Sequence, residues 1–226
     1  MTRTVQLSNV IKDYPTRTGK RRILDNISFT LEKGEKLGVL GCNGAGKSTL
    51  IRIISGAEHA TSGTIERTMS VSWPLAFQGG FVGGLTGIDN LRFICRVYDV
   101  PYASALKRVE DFSELGSYLR EPVSRYSAGM RARLAFAISM AVDFDCYLID
   151  EISAVGDRRF NEKCKNEIFS KKSNRSIVMV SHFMGVVKEY CDFFCVLDGG
   201  HLTRFESKSE AESYYNNVVL KKKISF

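Results

Sequence analysis

The first thirty residues alternate. Val5 and Leu7, and later Ile27, Phe29 and Leu31, recur with a period of two, which predicts strands near residues 5–7 and 23–31. Thr18-Gly19-Lys20 reads as the turn between them. The short apolar run Lys36-Leu37-Gly38-Val39-Leu40 predicts a further strand, and residues 50–54 an amphipathic helix. Ser62-Gly63-Thr64-Ile65-Glu66 reads as a turn and a short strand. Residues 79–87 then hold five glycines (79, 80, 83, 84 and 87), the texture of a turn-rich connector.

From Thr86 the period changes to that of a helix. Ile88, Leu91, Ile94 and Val97 share one face, with Thr86 as N-cap. A second helical pattern covers residues 103–115. A third starts at Ser127 and runs through Met130, Leu134, Ala137, Ile138 and Ala141. Cys146-Tyr147-Leu148-Ile149 and Ile177-Val178-Met179-Val180 are continuous apolar runs, as in strands buried on both faces of a parallel sheet. Residues 193–197 and 201–204 flank Asp198-Gly199-Gly200 and predict a hairpin. Residues 207–215 predict a terminal helix. The expected fold is α/β: one domain over 1–226, with an antiparallel β portion and a helical subdomain inserted at about 86–141.

Composition narrows the setting. The chain of 226 residues is 44% hydrophobic and 25% charged. No apolar run approaches the ~18 residues of a membrane span; the nearest, residues 134–142, is bounded by Arg133 and Asp143. Residues 1–10 lack the apolar stretch of a signal peptide, so a cytosolic chain is expected. Six cysteines without a CxxC pair are expected to be reduced thiols, and three scattered histidines give no zinc pattern. The net charge of +7 suits nucleic acid, an anionic membrane surface or a solvated face, and does not choose among them.

The chemistry is concentrated in Gly41-Cys42-Asn43-Gly44-Ala45-Gly46-Lys47-Ser48-Thr49, which meets the phosphate-loop pattern G-x-x-x-x-G-K-[ST] at every fixed position. Glycines let the backbone curl so that successive N–H groups face phosphate oxygens, and the following helix adds its positive end. Lys47 is placed to reach the β- and γ-phosphates and the Ser48 hydroxyl to ligate Mg²⁺. The motif predicts a nucleoside triphosphate site. Alone it leaves kinases, GTPases and many ATPases open.

Further residues close most of those options. Cys146-Tyr147-Leu148-Ile149-Asp150 is an apolar strand ending in a carboxylate, the Walker B arrangement, with Asp150 suited to Mg²⁺ and Glu151 to taking a proton from attacking water. Tyr126-Ser127-Ala128-Gly129-Met130 opens a helix upstream of Asp150. The ordered set Tyr14, Gly41 to Thr49, Ser127 to Met130, Asp150-Glu151, Asp157 and His182 resembles the nucleotide-binding subunits of ABC transporters. The resemblance implies that Ser127 and Gly129 contact the γ-phosphate of ATP held by an opposite subunit. It further implies that His182 contacts that phosphate, that Tyr14 stacks on adenine, and that Asp157 lies at the dimer interface. The sequence departs from the family in two places. Its signature is Tyr-Ser-Ala-Gly-Met rather than Leu-Ser-Gly-Gly-Gln, and Gln78, the sole candidate for the Q-loop glutamine that helps hold Mg²⁺, is slightly out of register.

Ser-Trp-Pro-Leu-Ala-Phe-Gln-Gly-Gly-Phe (72–81), Leu-Thr-Gly-Ile-Asp-Asn (85–90), Phe-Ser-Glu-Leu-Gly (112–116) and Ile-Asp-Glu-Ile-Ser-Ala-Val-Gly-Asp (149–157) resemble capsular polysaccharide export ATP-binding proteins of Gram-negative bacteria. That resemblance implies an ATPase, a P-loop NTPase of ABC type, working as a homodimer at the cytoplasmic face of the inner membrane. Its partners would be an integral membrane permease subunit and, indirectly, periplasmic and outer-membrane export components, with no nucleic acid. ATP and Mg²⁺ would be its ligands. Exporters of O-antigen or teichoic acid, a soluble nucleic-acid-associated ABC ATPase, and a non-hydrolysing nucleotide switch are the alternatives. The glycine-rich 79–87 connector with residues 85–93 is the expected docking surface for the permease.

Overall fold

A computed structural model of the chain describes residues 3–75, 80–150, 158–171 and 174–220. The chain divides into two compact units. The first is Met1–Pro74 with Phe144–Ile152 and Asn174–Phe226; the second is Leu75–Asp143 with Ser153–Ser173.

The first unit carries two sheets. Strands β1 (Thr4–Thr16), β2 (Gly19–Glu32) and β4 (Ser62–Arg67) form an antiparallel sheet in the order β2-β1-β4. The β1–β2 hairpin is longer than alternation predicts, because charge pairing replaces apolar burial in its outer half. Asp13 stands opposite Arg22 in the register, and Arg22 Nε donates to Asp13 Oδ1 at 3.0 Å. The turn is also one step earlier than expected: Thr16 pairs with Gly19, so Arg17 and Thr18 make it. Register shifts between Leu7 and Asp13 bend β1, and Asn9 takes a left-handed φ of 51° within them.

Strand β3 (Lys36–Leu40) leads into helix α1 (Lys47–Ser55). With β5 (Val71–Pro74), β6 (Cys146–Asp150), β7 (Ser176–Ser181), β8 (Phe193–Asp198) and β9 (His201–Phe205) it forms a six-stranded sheet, order β5-β6-β7-β3-β8-β9. All pairs are parallel except β8–β9. The apolar runs behave as their patterning requires: every residue of β7 is buried, as are all of β6 before Asp150. Leu50, Ile51, Ile53 and Ile54 of α1 join one core with Val5, Leu7, Leu24 and Ile27 of the antiparallel sheet and Val39, Leu148 and Val180 of the other. The β8–β9 turn is the expected one, with Gly199 and Gly200 both at positive φ. The terminal helix runs from Lys208 to Tyr214, capped by the Ser207 hydroxyl, which accepts from Glu210 N.

At Gly63 the packing leaves no room for a side chain. Its φ is +87°, and a Cβ there would lie 2.4 Å from the Asn9 carbonyl oxygen and 2.7 Å from that of Ser8. Gly63→Ala is therefore expected to cost about 3 kcal/mol. Gly34, at φ +91° but with no atom within 4 Å of such a Cβ, should lose only about 1 kcal/mol on the same change. Urea unfolding midpoints check the difference, and equal losses would show that the clash decides nothing.

The second unit is helical. It contains α2 (Gly87–Val97), α3 (Tyr102–Ser113), short 3-10 turns at Gly116–Arg120 and Val123–Arg125, α4 (Ala128–Ala141) and α5 (Arg158–Asn166). Thr86 caps α2 as expected, accepting from Asp89 N. The buried face of α2 is not the expected one, however. Gly87, Asn90, Leu91 and Cys95 point inward, whereas Val97 is 56% and Phe93 58% exposed. Asn90 accounts for the rotation. Its side chain accepts from Val82 N at 3.0 Å and donates to Thr86 O at 2.9 Å, so a polar residue takes a core position by satisfying loop backbone. Helix α5 escapes a periodicity reading because only Phe160 and Cys164 of it are buried. Phe160 packs edge-on against Phe112 and Phe136, and Lys163 Nζ donates to the Asp111 and Phe112 carbonyls at 3.0 Å, closing the end of α3.

Candidate functional site

The glycine-rich segment between β3 and α1 takes the conformation its composition permits. Gly44 and Gly46 are at positive φ (84° and 105°), and Ala45 N donates to Cys42 O at 3.1 Å, closing the loop on itself. No side chain caps the N-terminus of α1, whereas α2, α4 and the terminal helix are capped by Thr86, Ser127 and Ser207. Lys47 is buried. Its ammonium donates to Gly41 O at 2.9 Å and Cys42 O at 3.2 Å, holding the positive charge across the loop. Ser48 is exposed while Thr49 is buried, so the first hydroxyl is free to face a ligand and the second turns inward toward Arg52 Nη2 at 3.2 Å. Arg67 fixes the other end of α1, donating to the Ile53 and Ile54 carbonyls at 2.5 and 2.7 Å.

Strand order gathers the remaining groups of this unit. The parallel register sets Leu40 opposite Ser181 and Asp150 opposite Val180, and Gly41 N donates to Ser181 O at 3.3 Å. Gly41, Asp150 and His182 therefore stand at the carboxyl ends of three adjacent strands, β3, β6 and β7, where open parallel sheets bind their ligands. The His182 ring lies 3.8 Å from the Phe183 ring, centroid to centroid, and its carbonyl accepts from the Tyr215 hydroxyl at 3.3 Å. Asp150 and Ser48 offer hard oxygen donors of the kind that suit Mg²⁺.

Tyr14, on β1, is held by its hydroxyl, which donates to Glu58 Oε1 at 2.5 Å and accepts from Arg52 Nη2 at 3.2 Å. Burial pushes the Glu58 carboxyl up, but hydrogen bonds from Tyr14, Arg52 and Lys12 outweigh it and bring the pKa down to about 2. Glu58 and Arg52 were not among the residues expected to matter. They lie 44 and 38 positions from Tyr14, and no local motif links them.

In the second unit, Ser127 opens α4 as the sequence predicts, its hydroxyl accepting from Met130 N at 3.2 Å. The unusual Tyr126 has a structural use: it is buried, and its hydroxyl donates to Tyr118 O at 2.5 Å. Gly129 stands in the first turn, half-buried. Gln78, Glu151 and Asp157 lie outside the described residues.

Cysteine accessibility gives a direct check on this site. Cys95, Cys146, Cys164, Cys191 and Cys195 are buried, and burial pushes the last four thiols up to about 12. Only Cys42, in the phosphate loop, is partly exposed. Native protein is expected to take up one equivalent of a maleimide, at Cys42, and unfolded protein all six. Mass spectrometry after brief labelling decides it; comparable labelling at Cys95 or Cys191 would contradict the packing described.

The family model described as ABC transporter matches residues 24–154. The chain is 60% identical over 216 residues to the capsule polysaccharide export ATP-binding protein CtrD of Neisseria meningitidis serogroup B, covering 95% of this chain and 99% of that protein. It is 59% identical over 214 residues to the ATP-binding protein BexA of Haemophilus influenzae, covering 95% and 99%. Among solved structures, it resembles the dimeric post-hydrolysis state of the ATP-binding cassette MJ0796 bound to ADP and Pi. That match has a TM-score of 0.74 at 20% identity, over 90% of this chain and 99% of that one.

Proposed function

The chain belongs to the ABC transporter family, and from that membership we propose that it is the ATP-hydrolysing subunit of an exporter that moves capsular polysaccharide across the inner membrane. The observation that carries the reading is identity of 60% to a capsule export ATP-binding protein along nearly the full length of both chains. Deletion of its gene in its own host should leave capsular polymer inside the cell. The wild-type gene should restore surface capsule and a Lys47→Ala gene should not. Surface capsule that persists after deletion would refute the assignment.

The chemistry proposed for the site is phosphoryl transfer to water, in which positioning and charge stabilisation supply most of the rate. The loop from Gly41 to Thr49 holds the triphosphate through backbone N–H groups and the uncapped start of α1. Lys47 carries developing charge on the γ-phosphate, and Glu151 takes the proton of the attacking water. His182, at the end of β7, holds the γ-phosphate oxygens, and Tyr14 stacks on the adenine. Mg²⁺ would be held by Ser48 and Asp150, with Gln78 a further ligand, and would supply neutralisation of the phosphate charge. A second copy of the chain is the proposed partner across the nucleotide. Ser127 and Gly129, at the start of α4, face the triphosphate bound by that copy, and Asp157 lies at the shared surface.

The proposed location is the cytoplasmic face of the inner membrane, beside an integral permease subunit that connects to periplasmic and outer-membrane components. Among the described residues, no helix is long and apolar enough to cross a membrane, so the chain would act on the bilayer through that permease. Its docking surface is the loop ahead of α2 with the outer face of that helix, where Val82, Leu85 and Phe93 are 57%, 40% and 58% exposed. The loop is held firmly: Val123 N donates to Leu85 O and Ser124 N to Gly83 O, each at 2.9 Å. Leu85→Glu with Phe93→Glu should abolish co-purification with the permease, and undiminished association would remove this surface from the mechanism.

A further inference from the structure

We infer that Glu58, acting with Arg52, is a positioning residue for the nucleotide base: it holds the Tyr14 ring at a set place beside the phosphate loop. The inference rests on the proposed role of Tyr14 as the base platform, and goes beyond it by saying what makes the platform rigid. A tyrosine on a hairpin strand turns about two side-chain torsions, and a ring that must be ordered on binding weakens affinity by the entropy of that ordering. Here the ordering is already done.

The Glu58 carboxylate receives three donors on its two oxygens. Tyr14 Oη at 2.5 Å and Lys12 Nζ at 2.9 Å reach Oε1, and Arg52 Nε at 2.8 Å reaches Oε2. Arg52 donates a second time to Tyr14 Oη, at 3.2 Å, so the hydroxyl is fixed from two directions. The Lys12 ammonium is itself tied to His59 O at 2.8 Å and stands 4.9 Å from the centre of the Tyr14 ring. Arg52 finally reaches Thr49 Oγ1 at 3.2 Å. A continuous set of side-chain bonds thus runs from the phosphate loop along α1 to the aromatic ring, through Thr49, Arg52, Glu58 and Tyr14. The distance between the phosphate end and the base end of the site is set by the protein before any nucleotide arrives.

The competing account is that these bonds only staple the β1–β2 hairpin to α1. The two differ in what the ligand feels. A staple, once cut, weakens every ligand of the phosphate loop alike; a positioner weakens only ligands that carry a base. The experiment is calorimetric titration of the full chain, in Mg²⁺, with ATP and with inorganic tripolyphosphate. Glu58→Ala is expected to weaken ATP on the order of five- to tenfold, the cost of leaving one side chain to be ordered on binding, and tripolyphosphate by less than about twofold. Glu58→Gln, which keeps an acceptor for the Tyr14 hydroxyl, should recover most of the loss. Tyr14→Phe should lose as much as Glu58→Ala, and combining the two should lose no more than either.

Equal weakening of ATP and tripolyphosphate by Glu58→Ala would overturn the inference, as would ATP binding that Tyr14→Ala weakens and Glu58→Ala does not. ATP affinity unchanged by Tyr14→Ala would instead overturn the platform role of Tyr14, and the inference with it.

Discussion

ATP turnover by the chain assembled with the proposed permease is expected to fall on the order of 10²–10³-fold when Lys47 is replaced by alanine. The size follows from where the ammonium sits. Lys47 is buried, and its charge is held over the phosphate loop by the carbonyls of Gly41 and Cys42 at 2.9 and 3.2 Å. A charge already in place and partly shielded from water stabilises the negative charge of the transferring phosphoryl group without reorganising during the reaction. Alanine removes that charge and leaves the two carbonyls facing the ligand. ATP binding should weaken as well, because the same ammonium is proposed to meet the ground-state phosphates. The two hydrogen bonds to the Gly41 and Cys42 carbonyls are local, and their loss should lower stability by about 1–2 kcal/mol. Steady-state turnover and unfolding, measured on the same preparation, separate the two effects. Turnover within about threefold of wild type would remove Lys47 from the chemistry.

Glu151→Gln should have an effect at least as large on turnover and almost none on binding. The amide fills the same space but cannot take a proton, and loss of a general base costs about 10²–10⁴-fold. Asp150, the last residue of β6, stands opposite Val180 on the strand that leads to His182, and Glu151 follows it in the sequence. ATP affinity should stay within about threefold of wild type, since Glu151 is assigned to the water and not to the nucleotide. ATP that binds and is not cleaved should also hold two copies of the chain together, so the variant is expected to run as a dimer in Mg²⁺–ATP during size-exclusion chromatography. Turnover at the wild-type rate would move the base elsewhere and leave the phosphate loop's assignment standing.

The legible parts of the site were those whose chemistry is contiguous in the chain. The phosphate loop needs glycines, a lysine and a hydroxyl at fixed spacing, and the backbone there does what those residues allow: Gly44 and Gly46 at positive φ, Lys47 turned over the loop, Ser48 exposed. Strands buried on both faces were legible for a similar reason, since a continuous apolar run such as Ser176–Ser181 has no solvated side to present. The capped helix starts at Thr86 and Ser127 followed from a hydroxyl set just ahead of a helical pattern.

Where the reading missed, a tertiary bond had replaced the pattern it relied on. Asn90 satisfies the backbone around Val82 and Thr86, and turns α2 so that Val97 faces solvent. Asp13 and Arg22 extend a hairpin whose outer half shows no apolar alternation. Phe160 seats α5 against Phe112 and Phe136 although Cys164 is the one other buried residue of that helix.

The sequence by itself determined the family, the nucleotide and the local conformation of the phosphate loop, because each depends on residues adjacent in the chain whose steric and donor properties act over a few ångströms. Only the tertiary structure decided which groups share an edge and which hold one another. The strand order β6-β7-β3 brings Gly41 to one end of a sheet beside Asp150 and His182, each more than a hundred residues further along the chain. The folding of α1 against the β1–β2 hairpin brings Glu58 and Arg52 to the hydroxyl of Tyr14. Hydrogen bonds act at about 3 Å whatever the separation along the chain. Partners so distant in sequence leave no local pattern, and only the packed fold selects them.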